Sequence, residues 1–134
     1  MQTKVALVLR DDLSPEHAAN ASAVLALSLG GRLGDSIGRD GEDASGGIHS
    51  GLNTHPIPVL AASPQELSTL LERARAAGDV QTVSLNETAR KARDYEDYLT
   101  ELKATPAEDI EYIGVIVHGP RTNVSRLTRH LSLL

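Results

Sequence analysis

Five consecutive apolar residues, Val5-Ala6-Leu7-Val8-Leu9, lie between Lys4 and Arg10 near the start of the chain. A strand with one wet face alternates apolar and polar side chains, so a run of strand length without alternation marks a strand covered on both faces. The rest of the chain must therefore supply helices to two sides of a sheet. At 134 residues it has the size of one domain, spanning 1–134, and a domain of this size buries roughly two thirds of its unfolded surface.

The packing material is restricted. There is no Phe or Trp, and the aromatics are Tyr95, Tyr98 and Tyr112. A core of Leu, Val, Ile and Ala buries less area per residue, so helices must approach the sheet closely.

The following elements can be placed by local signals. Ser14-Pro15 reads as an N-cap with proline at the first helical position, opening a helix to about Leu29 that Gly30-Gly31 stops. Residues 30 to 55 hold eight glycines and scattered acids with no period, and read as a long surface loop. Pro56 to Ala62 resumes strand character, with Pro56 and Pro58 outside the ladder. Ser63-Pro64-Gln65-Glu66 is a capping box, followed by Leu67, Leu70, Leu71 and Ala74 at helical spacing and a stop at Gly78.

Val80 to Leu85 is a third strand, and Ser84 to Glu87 a second capping box for a helix reaching about Ala104. In that helix the bases Arg90, Lys91 and Arg93 precede the acids, which opposes the helix dipole. Thr105-Pro106 breaks it; Glu111 to His118 is the fourth strand and Val124 to Leu131 the last helix. This order predicts an α/β three-layer sandwich, a four-stranded mixed sheet with helices on both faces.

Charge and motifs exclude several functions. A net charge of -5 argues against nucleic acid as a partner, and Arg121, Arg126 and Arg129 read as a solvated helix face. No apolar run approaches the ~20 residues a membrane helix needs, and Met1 to Arg10 reads as a strand rather than a signal peptide, so a cytoplasmic location without membrane association is expected. Without cysteine there is no thiol chemistry. His49 and His55, with Asp40, Glu42 and Asp43 upstream, lack any metal-ligand spacing, and Gly30-Gly31-Arg32-Leu33-Gly34 lacks a P-loop ending. Neither a metal nor a cofactor is expected.

Ligands of open α/β sheets lie beyond the carboxyl ends of strands. Arg10-Asp11-Asp12 follows the first strand and His118-Gly119 ends the fourth. Asp12 and His118 are accordingly the candidate acid/base pair, because a carboxylate can orient an imidazole that titrates near neutrality.

Arg10-x-Asp12-Leu13, together with Gly114-Val115-Ile116-Val117, Gly119-Pro120, Leu127-Thr128, His130-Leu131 and Leu133-Leu134, resembles the type II peptidyl-tRNA hydrolases. That resemblance implies a mixed four-stranded sheet between helices and ester hydrolysis near the first helix and third strand. The lysine-bearing loop of those enzymes is replaced here by Ser14-Pro15-Glu16-His17, and their aspartate-alanine-glycine turn by Leu85-Asn86-Glu87-Thr88. A second resemblance, to the domain-of-unknown-function family number two thousand, spans nearly the whole chain. It rests on Arg10-Asp11-Asp12-Leu13, Asn20, Asp43-Ala44-Ser45-Gly46, Pro56-Ile57-Pro58-Val59-Leu60 and Gly119-Pro120-Arg121.

The functional expectation is a small polar ligand bound at the strand ends. Arg10, Asn20, Asp43 and His49 would contact it beside Asp12 and His118, with the loop 31 to 55 closing over the pocket. The alternatives are an acyl ester hydrolase of the peptidyl-tRNA type with an altered site, and a non-catalytic interaction module assembling as a homodimer.

Overall fold

The computed structural model describes residues 2–134. Strand β1 (Thr3–Arg10) carries the apolar run, and Val5 to Leu9 are all buried. Helix α1 (Pro15–Gly30) follows; Ser14 caps it, its hydroxyl accepting from the His17 amide. After an excursion come β4 (Val59–Ala62), α2 (Pro64–Ala77) and β5 (Gln81–Asn86). Both halves of the expected capping box form: the Ser63 amide donates to the Glu66 carboxylate at 2.9 Å, and the Glu66 amide to the Ser63 hydroxyl at 3.2 Å. Gly78 ends α2 in the left-handed conformation.

The segment after β5 corrects the sequence reading. One helix from Glu87 to Ala104 is expected, but the chain forms α3 (Glu87–Lys91) and α4 (Tyr95–Lys103). Asn86, not Ser84, caps α3, and Asp94 caps α4 through a 2.8 Å bond from the Asp97 amide. The break resolves the dipole conflict. Arg90 and Lys91 now end one helix, Glu96 and Asp97 open the next, and both charge sets suit the dipole they meet.

Strand β6 (Tyr112–Pro120), α5 (Arg121–Thr128) and β7 (Ser132–Leu133) complete the chain. The sheet has five strands, in the order β5-β6-β1-β4-β7, rather than four. The final helix stops at Thr128 instead of Leu131, and the terminal residues pair antiparallel with β4, Leu133 opposite Leu60. Both residues of β7 are exposed, so no apolar pattern announces the strand.

The excursion holds a second, two-stranded sheet, β2 (Gly41–Glu42) against β3 (Ile48–His49), and a bridge from Ile37 to Asn53. The expected long surface loop thus contains a folded hairpin. At its neck a Cβ on Gly51 would lie 1.7 Å from the Gly38 carbonyl oxygen, so only glycine lets the two arms pass.

Helices cover both faces of the main sheet. Ala6, Val8, Val115 and Val117 pack with Leu67, Leu70 and Leu71 of α2 and Val124 and Leu127 of α5. Val5, Leu7, Leu9 and Ile116 pack with Ala21, Leu25 and Leu29 of α1. Among the described residues no helix is long and apolar enough to cross a membrane.

Strand direction decides what shares an end. β4 runs parallel to β1, while β6 runs antiparallel to both β1 and β5, so β1, β4 and β5 point the same way. Their carboxyl ends lie together, and α1, α2 and α3 start there. β6 arrives reversed, with Gly114 opposite Leu9 and His118 opposite Val5.

At Gly114 β6 and α1 approach closely. A Cβ there would lie 2.8 Å from Leu9 Cδ2, 3.0 Å from Leu25 Cδ1 and 3.1 Å from the Val8 carbonyl oxygen, and both leucines are fully buried. Gly114→Ala is expected to lower the unfolding free energy by about 1–3 kcal/mol through overpacking, read by urea denaturation; an unchanged midpoint would show that α1 gives way freely.

Candidate functional site

At the carboxyl ends of β1 and β5 a chain of ion pairs joins β1 and the turn after it to α3. Arg10, the last residue of β1, donates from Nε to Asp12 Oδ1 at 2.6 Å and from Nη2 to Glu87 Oε1 at 3.4 Å. Glu87, the first residue of α3, also accepts from Arg90 Nε at 3.0 Å and lies 3.9 Å from Lys91 Nζ. Its side chain is 11% exposed and Arg10 is 17% exposed, so one buried carboxylate organises two guanidiniums. The bond from Arg90, followed by the nearby charges of Arg90, Arg10 and Lys91, holds the Glu87 carboxyl below its ordinary 4.5 against the opposing effect of burial. The bond to Arg10 likewise depresses Asp12.

Arg90 connects this chain to a groove of about 500 Å³. One wall is Asn20, Val24 and Ser28 of α1 at four-residue spacing, with Arg32 just beyond the helix end. Val83 and Leu85 of β5 form an apolar floor; Arg90, Asp94, Tyr95 and Tyr98 form the far wall. The two tyrosine rings meet edge to face, 5.7 Å apart. An apolar floor with a few converging polar groups and this volume is the usual make-up of a small-molecule site.

The predicted site residues do not form one pocket. Arg10 and Asp12 belong to the ion-pair chain and Asn20 to the groove. Asp43 and His49 meet each other in the hairpin: Asp43 accepts from His49 Nε2 at 2.8 Å and from the Ser45 and Gly47 amides at 2.9 Å each. The His49 bond first, then the two amides, hold the Asp43 carboxyl below its usual range. Both residues are exposed, and their geometry is that of a turn being held closed.

His118 is the main correction. The expected Asp12–His118 pair requires β6 to end beside β1's carboxyl end, but the antiparallel register puts His118 opposite Val5. Five residues of strand, roughly 17 Å, separate Val5 from Arg10. His118 instead meets His55, rings edge to face at 5.5 Å. His55 and His49 have separate partners, His55 Nε2 lying 3.0 Å from Thr3 Oγ1. Among the described residues no group of three or more His, Asp or Glu is placed to hold a metal.

A family model described as a protein of unknown function (DUF2000) matches residues 3–134. The chain belongs to this family. The fold of this DUF2000 protein is similar to the solved structure of a protein of unknown function, Atu0240, from Agrobacterium tumefaciens strain C58. That similarity has a TM-score of 0.90 at 22% identity, covering 100% of this chain and 98% of the other. At that identity it establishes the shared fold. No curated protein matches the chain.

The sequence does not point to Glu87, Arg90, Tyr95 or Tyr98 as site residues. The tyrosines carried a usable signal, because two of the chain's three aromatics sit three residues apart in an otherwise charged segment. Glu87 reads in the sequence as the acid of a capping box, and its ion-pair role follows from α3 beginning at it.

Replacing Glu87 tests the ion-pair chain. Its carboxyl is depressed in the folded state, so its stabilisation is complete above 4.5 and is lost as pH falls through the lower native value. Glu87→Gln is expected to cost roughly 2–3 kcal/mol near neutral pH, below the cost of breaking a fully buried pair because Arg90 remains partly solvated. It should also flatten the decline in stability below pH 4.5. Denaturation across that range measures both effects, and a variant with the wild-type acid profile would contradict the assignment.

Proposed function

We propose that this DUF2000 protein binds a small polar ligand bearing an anionic group in the groove between α1 and α3–α4. The observation that carries the reading is the placement of Arg90 on the groove wall while its guanidinium is held by the buried Glu87. A pre-positioned guanidinium loses little conformational freedom on meeting a carboxylate or phosphate, and its fork matches either geometry. Arg32 adds a second cation to the same groove against the single acid Asp94.

Asn20 would orient the ligand from the opposite wall, since its amide offers both donors and an acceptor. Val83 and Leu85 would take the ligand's apolar body. Arg10 and Asp12 would act from behind, keeping Glu87 and hence Arg90 in place.

The alternative is an acyl ester hydrolase of the peptidyl-tRNA type, favoured by the resemblance of the terminal strand and helix to those enzymes. Release of the peptide from peptidyl-tRNA at micromolar protein would establish it, and no turnover above buffer would end it.

A thermal-shift screen of carboxylate and phosphate metabolites should yield ligands that raise the melting temperature of the wild type. Asn20→Ala and Arg90→Gln should each weaken such a ligand by about tenfold or more, about 1.4 kcal/mol, measured by titration calorimetry. Wild-type affinity in both variants would remove the groove as the site.

A further inference from the structure

The excursion between α1 and β4 is largely exposed, yet it carries one deeply buried ring. His55 is 9% exposed, its Nε2 lies 3.0 Å from Thr3 Oγ1, and its Nδ1 is buried with no hydrogen-bond partner. The Asn53 side chain brackets it, donating to the His55 carbonyl and accepting from its amide. The His55 ring stands edge to face against His118 on the sheet, the planes 82° apart. This contact and the bond to Thr3 tie the excursion to the amino-terminal end of β1.

Both rings fit this arrangement only when neutral. A cationic His55 would bury a charged Nδ1–H without an acceptor, and charging either ring would set a cation against the other.

We propose that the His55–His118 pair is a clasp that holds the excursion closed at neutral pH and releases it when a ring is protonated in mild acid. Between the excursion and the sheet lies an apolar cleft of about 440 Å³, lined by Leu29 of α1, Leu33, Ile37, Asn53 and Ile57 of the excursion and Ile116 of β6. Opening the excursion would carry Ile37 and Ile57 away from Leu29 and Ile116.

The groups facing His118 are few. β1 presents Val5 and Thr3, and β5 presents Gln81; none of these side chains is charged at these pH values. Lys4 points to the opposite face, where it donates to Ser125. The excursion contributes His55, which opposes protonation, and Asp35, which favours it.

Burial and then the nearby His55 draw His118 below its ordinary 6.5 in spite of Asp35. The closed state therefore keeps its full advantage above 6.5, the ordinary value, and loses it as pH falls from there through the lowered value. Below that value both states are protonated and the loss stops growing.

Hydrogen exchange on the full chain at about pH 7.5 and about pH 5.5, corrected for intrinsic rates, tests the clasp. The reporters are the Gly38 and Thr54 amides, which bond to the Leu52 and Ser36 carbonyls, read against β1 amides as the control. Protection of the reporters should fall about threefold or more at the lower pH, while β1 is unchanged. His118→Gln should lose most of that pH dependence, and His49→Gln should keep it. Equal reporter protection at both pH values in the wild type would overturn the proposal, as would an undiminished response in His118→Gln. Should that variant fail to fold, ring titration of the wild type by NMR decides. His118 protonating below 6.5, in step with loss of reporter protection, supports the clasp; titration without that loss refutes it.

Discussion

Burial of β1 on both faces is the constraint from which the rest of the structure follows. Val5, Leu7 and Leu9 require one apolar layer, and Ala6 and Val8 a second on the opposite side. α1 supplies the first, α2 and α5 the second. Because the core lacks Phe and Trp, these layers must come close, and Gly114 is a point of that closeness, between β6 and the Leu9 and Leu25 side chains. A sheet so covered has free space only at its ends and beside its helices, and the candidate sites are found there.

The two ends of the sheet differ in chemistry because the strands differ in direction. Three parallel strands deliver three helix starts to one end, and Arg10 leaves β1 there to meet the first residue of α3. Glu87 must be charged to hold Arg10 and Arg90 together, and it can be charged while buried because those two cations and Lys91 surround it. At the opposite end the His55 ring meets His118 and the Thr3 hydroxyl around one buried, unsatisfied nitrogen.

The division between what could and could not be read in the sequence follows the range of the interactions. Ser63 to Glu66 was readable because a capping box closes within four residues. Asn20 was singled out and does line the groove, although what it faces is α4, an element expected to be part of a longer helix. The charge order in residues 87 to 104 was visible as a conflict with the helix dipole, and the break at residues 92 to 94 is its resolution. Asp43 and His49 were singled out too, yet their bond serves the hairpin turn. β7 left no trace in the pattern, since both its residues are exposed and its stability comes from the open edge of β4.

By itself the sequence determined the doubly covered central strand, the α/β layering, the starts of α1 and α2, and membership in a family that spans the chain. These depend on local caps and on apolar periodicity, which are the same whichever way a strand runs. Only the tertiary structure decided that β6 runs antiparallel to β1, which separates Asp12 from His118 and brings His118 to His55. It also decided that Glu87, remote in sequence from Arg10, would be its buried partner. Strand direction and long-range ion pairs arise from how covered layers close on one another, and no short stretch of chain carries that information.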